Sequence, residues 1–313
     1  CNKLLDHIRK IRRQHFPYLG PGIFAGHPFA DLDQAVECVP QIGHADAFLH
    51  FAWRGVNRQE IDSPAVQKLN IDGSLRCMEA AGLLGCQVFM DAGSRVEYGI
   101  TADGTMEESM DCHPVNEYGK AKLAFFEQAK QLCRELQLTY YHLRFFSVYG
   151  KGDHPWSIIS TLTRELPEGK TVSLSACRHR WNFMDIEDAS RAVVELYRYS
   201  DSHRGECHAV NVASEDTRVL RDFVEEIHSL CGGNGNLEYG SFVQAKEGAL
   251  SICPVNENMK KLTVYHVLTM TNGMARHPIM DADWLKNYLA EPVVAEPGTE
   301  FLYNSSGSCL LGA

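Results

Sequence analysis

The sequence predicts an α/β fold with a doubly wound parallel sheet. Short apolar runs at Ala47–Ala52, Gln87–Ala92 and Thr139–Leu143 have the length and composition of buried strands. Between and after them lie stretches with apolar residues near helical period, Val66–Leu84 and the series Ala121, Phe125, Ala129, Leu132 and Leu136. Strands alternating with helices of that length imply right-handed crossovers, and therefore a parallel sheet with helices on its faces.

Taken in order, the first thirty residues are the least readable. Arg9-Lys-Ile-Arg12-Arg13 reads as a solvated basic helix face, and Gly20-Pro-Gly22-Ile-Phe-Ala-Gly26 as a loop. No buried strand precedes those glycines and Pro28 follows them, so the segment lacks the context of a dinucleotide fingerprint. A short helix is expected from Asp31, then the strand Ala47–Ala52. The helix Val66–Leu84 stops at Gly85, a suitable terminator. After the strand Gln87–Ala92 comes a long polar loop, 99–116, and then a helix opening at Tyr118. From Tyr149 the pattern loosens into a smaller lobe. It holds a helix within Asp185–Tyr199, a return strand at Val210-Asn-Val and a helix Val219–Leu230, with Thr217 as the expected cap and Gly232-Gly233 as the stop.

Composition narrows the function classes. The chain has 313 residues, 22% of them charged and 44% hydrophobic, which suits a soluble globular protein with a sizeable core. A net charge of -10 argues against sequence-independent nucleic-acid binding, which needs clustered cations. No apolar run approaches the ~18 residues of a membrane span, and no secretory signal is visible. The 11 cysteines include no C-x-x-C and read as thiols in a reducing compartment, so the expected location is cytoplasmic. The 14 histidines form no ligand pair of the H-E-x-x-H type, and no metal site is expected.

Chemistry concentrates in Asp91-Ala-Gly-Ser94-Arg-Val-Glu-Tyr98-Gly99 and Tyr118-Gly-Lys-Ala-Lys122. Ser94 leaves the C-terminal end of a strand, where open α/β sheets gather their functional groups. Tyr118 and Lys122 stand one turn apart on one face of a helix. A tyrosine with a pKa near ~10 is a poor base at neutral pH, and a nearby ammonium favours its phenolate. Singly, Ser94 reads as a loop-capping serine and Tyr118 as a core-edge tyrosine. Together they read as a proton-transfer site.

In that order and context the chain resembles the extended short-chain dehydrogenase/reductase family of NAD-dependent epimerases and dehydratases. Further matching pieces are His50-Phe-Ala-Trp53, Asn70-Ile-Asp-Gly73-Ser74, Leu143-Arg144-Phe-Phe-Ser-Val-Tyr149-Gly150 and Phe183-Met-Asp-Ile-Glu-Asp188-Ala, over roughly residues 30 to 260. The resemblance implies a Rossmann-like domain over 1–150 and a substrate lobe over 151–261. It implies Tyr118 as base, Lys122 as its partner and a ribose ligand, and Ser94 as the substrate-orienting hydroxyl. It also implies NAD or NADP held by Ala52, Trp53, Asn70, Ala92, Tyr118, Lys122 and Phe145. Substrate would meet Ser94, Ser147, Arg178 and Arg180, although the two arginines could equally lie solvated on the lobe. The expected partner is a small sugar-type molecule, with a homodimer possible and neither nucleic acid nor membrane involved.

The departures bear on substrate. Dehydratases follow the Ser/Thr with Asp-Glu; here Arg95 and Val96 stand there, and neither can do that acid-base work. An arginine that grips pyrophosphate in the epimerases is replaced in the triplet Trp181-Asn182-Phe183, Ser147 stands where asparagine is common, and a later Arg-x-Gly-Asp becomes Lys246-Glu-Gly248-Ala249. The first strand and glycine-rich loop of the family are not recognisable before Asp31. The expectation is therefore that this chain binds nicotinamide dinucleotides weakly or not at all. Residues 262–313, with Tyr303-Asn-Ser305, are similar to a fragment of the serine beta-lactamase and penicillin-binding-type hydrolases, but without S-x-x-K or K-T-G. A serine hydrolase fragment and a non-catalytic fusion are the alternative readings.

Overall fold

The computed structural model describes residues 35–37, 39–56, 60–200, 204–242 and 251–258. The glycine segment Gly20–Gly26, most of the helix expected from Asp31, and the hydrolase-like tail 262–313 lie outside the described residues. All the elements below belong to one compact unit, which runs to Asn256.

Four strands, β1 (Ala47–His50), β2 (Val88–Ser94), β4 (Thr139–Phe145) and β8 (Cys207–Val212), form a parallel sheet in the order β1-β2-β4-β8. This is the α/β architecture that the alternation of strands and helices predicts. Helix α1 (Val39–Ile42) precedes β1, α2 (Pro64–Leu83) links β1 to β2, and α3 (Glu117–Glu135) links β2 to β4. Apart from Phe145 every residue of β4 is buried, as expected of a strand covered on both faces. One face packs Phe89 and Tyr140 against Cys77, Met78, Ala80 and Ala81 of α2 and Phe125, Phe126, Ala129 and Cys133 of α3. Each buried large apolar side chain in such a core contributes about 1.5–3 kcal/mol.

Helix α3 begins where it does because Asn116 caps it, its side chain accepting from the Gly119 N–H at 2.8 Å. Gly119 also lets the helix approach the turn after β2. A Cβ there would lie 2.9 Å from Pro114 and 3.0 Å from the Val96 carbonyl oxygen. That closeness brings Tyr118 to Ser94. Between β2 and α3, the loop expected over 99–116 contains a short strand, β3 (Thr105–Glu107), paired in parallel with β11 (Cys253–Val255).

The smaller lobe is more regular than its sequence suggests. Strands β5 (Ser147–Tyr149), β7 (Arg180–Asp185) and β9 (Thr217–Val219) form one sheet, and β6 (Thr171–Leu174) pairs with β10 (Asn236–Tyr239). Leu162 of α4 (Ile158–Glu165) packs with Leu166, Val172, Leu174 and, from α6 (Leu220–Leu230), Leu220 and Val224. Helix α5 (Ile186–Tyr199) opens on Asp185, whose side chain accepts from the Glu187 N–H at 2.7 Å. Thr217 does not cap α6. The cap position is Val219, with no side-chain bond, because Thr217 belongs to β9 and its hydroxyl accepts instead from Asn182 Nδ2 at 2.9 Å.

Candidate functional site

Ser94 ends β2 and begins a 3₁₀ turn, Arg95–Tyr98, so its hydroxyl stands at the C-terminal edge of the parallel sheet. The turn carries a capping box. The Ser94 N–H donates to Glu97 Oε1 at 2.6 Å, and the Ser94 hydroxyl oxygen accepts from the Val96 N–H at 3.4 Å. The Tyr118 phenol lies close enough to the Ser94 hydroxyl to interact with it, and that interaction favours the phenolate. One turn further along α3, Lys122 is only 3% exposed and donates from Nζ to the Ala92 carbonyl at 2.6 Å.

The ammonium of Lys122 is 3.4 Å from the ring centroid of Trp53 and 5.8 Å from that of Tyr118. Trp53 meets Tyr118 edge-on, with centroids 6.1 Å apart. The indole is fixed from behind by its N–H, which donates to Gln67 Oε1 at 2.9 Å. Asn70 is fully buried and grips the Arg54 backbone at both ends, accepting from its N–H and donating to its carbonyl, each at 2.9 Å. The amide of Asn70 is thus committed to the loop that carries Trp53.

Burial decides the resting protonation here. It pushes Tyr118 up to about 12, against the lowering effect of the Ser94 hydroxyl. It lowers Lys122 to about 8, against the negative charges of Asp91 and Glu97. Loss of hydration dominates at the phenol, and the Lys122 ammonium is turned to Ala92 and Trp53.

Beneath these residues lies a buried ionic row that the Ser-Tyr-Lys motif does not include. His50, Asp91 and His142 are register partners on β1, β2 and β4, so their side chains share the face covered by α2 and α3. His142 Nδ1 bonds Asp91 Oδ1 at 2.9 Å and its Nε2 bonds Glu97 Oε2 at 2.9 Å. Gly93 makes room for it, since a Cβ there would be 2.6 Å from the imidazole. Tyr140 donates to Asp91 at 2.8 Å, and Arg144 donates from Nε to Glu97 at 3.0 Å. Burial acts to lower His142, but the two carboxylates outweigh it and hold the imidazole at about 9, charged at neutral pH. Burial would raise Asp91 and Glu97, but the adjoining His142 holds both below the ordinary carboxylate range. His50 is lowered to about 4 by burial and is neutral. Two signals for this row stood in the sequence: Ser94-Arg-Val-Glu97 is a capping-box pattern, and His142 and Arg144 alternate with apolar residues in a strand.

The other expected site residues are more dispersed. Phe145 ends β4 and meets Phe51 edge-on, with centroids 5.9 Å apart; Ser147 opens β5, and Ala52 is exposed beside Trp53. Arg178 and Arg180 are exposed, and Arg180 donates to the Thr217 carbonyl at 2.6 Å. Arg95 is the cation nearest in sequence to Ser94, and its guanidinium lies 5.4 Å from the Trp181 ring centroid. Among the described residues no group of three or more histidine, cysteine or acidic side chains could hold a metal, and no helix is long and apolar enough to cross a membrane.

The donor set suits the ribose end of a nicotinamide dinucleotide. Lys122 carries three N–H donors, and among the described residues its one oxygen acceptor is Ala92 O, so donors remain for hydroxyl groups.

Comparison with known proteins places these elements in context. A family model described as the NAD dependent epimerase/dehydratase family matches residues 11–213. An uncharacterised 37.6 kDa protein of Escherichia coli O111:H- is 26% identical over 230 residues, covering 72% of this chain and 67% of that one. Among solved structures, MoeE5 in complex with UDP-glucuronic acid and NAD is 25% identical with a TM-score of 0.61, covering 74% of this chain and 77% of that one. RMD from Pseudomonas aeruginosa complexed with NADPH has the same fold at 19% identity and a TM-score of 0.62, covering 75% and 80% of the two chains.

Proposed function

The chain belongs to the NAD-dependent epimerase/dehydratase family, a family of enzymes, and we propose that it is an NAD(P)-dependent epimerase or oxidoreductase acting on a hydroxyl or carbonyl of a nucleotide sugar. The observation that carries this reading is the convergence of Ser94, at the C-terminal edge of a parallel sheet, with Tyr118 and the buried Lys122 ammonium one turn along α3. The UDP-glucuronic acid and NAD in the MoeE5 structure support the substrate and cofactor classes.

In this reading Ser94 orients the reacting sugar hydroxyl and Tyr118 takes or returns its proton at the phenol oxygen. Lys122 holds ribose hydroxyls through its free N–H donors, with Trp53, Ala52, Ala92 and Phe145 around it. Asn70 acts on the cofactor side by holding the Trp53 loop rather than by touching it. A bound nicotinamide supplies the hydride donor and acceptor, and the protein supplies orientation and charge. Tyr118 reaches neutral-pH competence when an ammonium faces the phenol, which requires Lys122 to turn from the Trp53 ring. The lobe over 151–261 provides the substrate side, with Ser147 just before it and Arg178 and Arg180 at its rim. Arg95 and Val96 offer no proton donor or base for dehydration, which leaves epimerisation and carbonyl reduction.

The test is direct. Incubated with UDP-glucose or UDP-glucuronic acid, the full chain should yield the C4 epimer by proton NMR with catalytic NAD, or, with stoichiometric NAD, reduced nicotinamide by absorbance as the sugar hydroxyl is oxidised to the ketone. Neither product from either sugar, under conditions where a known epimerase reacts, contradicts the reading.

A further inference from the structure

Arg95 is a charge without a partner. Among the described residues it makes no hydrogen bond and no ion pair, and its contact is the face of Trp181 at 5.4 Å. Two other arginines are matched by carboxylates: Arg144 by Glu97 at 3.0 Å, and Arg218 by Asp216 at 2.9 Å and Glu226 at 2.8 Å. Arg95 is half-buried, and loss of hydration is what perturbs it, lowering its pKa. A guanidinium keeps its proton in proteins, so desolvation leaves it charged and short of acceptors. A second donor beside it is also unserved: Trp181 Nε1 is buried with no hydrogen-bond partner among the described residues. An unmatched guanidinium on the residue that follows Ser94 calls for an oxygen anion that arrives with the ligand.

Placement limits which anion. Arg95 is the next residue after Ser94, their Cα atoms ~3.8 Å apart, and it begins the same turn. Ser94 is the residue that would meet the reacting hydroxyl, so a group reached by Arg95 belongs to the sugar ring. A diphosphate further along the molecule is the other oxygen anion such a ligand carries.

We propose that Arg95 is a specificity-determining residue that holds a carboxylate on the sugar, and that the substrate class is a nucleoside diphosphate uronic acid. Trp181 supplies the stacking surface that keeps the guanidinium flat beside the sugar. This inference rests on the nucleotide-sugar reading above, and it deepens it.

The test is calorimetric titration of the full chain and of Arg95→Met and Arg95→Lys with UDP-glucuronic acid, UDP-glucose and UDP, each with NAD present. Melting temperatures should first establish that the variants fold. The wild-type chain should bind UDP-glucuronic acid about ten-fold or more tightly than UDP-glucose, the size of one charge-assisted contact. Arg95→Met should remove that preference and leave UDP-glucose affinity within about two-fold, with Arg95→Lys between. No preference in the wild-type chain overturns the proposal. So does equal weakening of all three ligands in Arg95→Met, which would put the guanidinium on the diphosphate. Binding by none of the three contradicts the nucleotide-sugar reading as well, whereas binding without preference contradicts the carboxylate alone.

Discussion

The Lys122 ammonium rests on the indole face of Trp53, 3.4 Å from its ring centroid, while donating to the Ala92 carbonyl at 2.6 Å. Both contacts cover the amine that the proposed chemistry needs. With a pKa lowered to about 8, Lys122 is the described lysine best able to supply free amine near neutral pH, yet it is closed off.

Trp53→Ala should therefore expose it. At pH 10, where the amine is substantially unprotonated even after returning hydration raises its pKa, an amine-directed acylating reagent followed by peptide mass spectrometry should label Lys122 at least about ten-fold faster in the variant than in the wild-type chain. The variant loses the cation–π contact, about 0.5–2 kcal/mol, and partly buried packing as well, so its melting temperature should first establish that it folds. Equal labelling in both proteins would mean that the indole does not gate the amine.

His142 should titrate at about 9 and His50 at about 4 when the imidazole signals are followed by NMR. The two move in opposite directions because His142 is bonded by two carboxylates and His50 bonds only the Ser74 hydroxyl. The stability consequence has a definite sign. A folded-state pKa raised from 6.5 means that the His142 contribution is complete below pH 6.5 and is lost as pH rises through about 9. Denaturant unfolding of His142→Gln against wild type should show the largest gap near pH 6 and a shrinking one toward pH 9. A gap that widens with rising pH would contradict the assignment of charge.

Glu97 ties this row to the Ser94 backbone, so its variants should separate hydrogen bonding from charge. Glu97→Val leaves Arg144, His142 and the Ser94 N–H without their acceptor, and should cost about 3–5 kcal/mol in denaturant unfolding. Glu97→Gln can still accept from Ser94, and should cost clearly less. Equal losses in the two, or losses under about 1 kcal/mol, would show that the row does not hold the turn.

Much of the sheet was legible because each strand is a short apolar run and each crossover helix has a buried stripe. Ala47–Ala52 anticipates β1, Val66–Leu84 anticipates α2, and Gln87–Ala92 anticipates β2 to within a few residues. The lobe was harder to read because its strands are three to six residues long and half-exposed, and pair with distant segments such as β6 with β10. Thr217 misled for a related reason: a threonine before a helix can cap it or join a strand, and only the Asn182 partner decides. In the site, Ser94, Tyr118 and Lys122 were visible as a motif. The row of His50, Asp91 and His142 was not, because it depends on register across three strands.

The central claim is that Tyr118 moves the substrate proton. Tyr118→Phe keeps the ring that packs against Trp53 and removes only the phenol oxygen, on which Ser94 acts. With UDP-glucuronic acid and NAD, the variant should lose turnover by roughly 10²–10⁴-fold, the usual contribution of a positioned acid-base group. Its affinity for NADH, measured by fluorescence titration, should stay within about two-fold of wild type. Turnover retained in Tyr118→Phe would remove Tyr118 from that role and contradict the account.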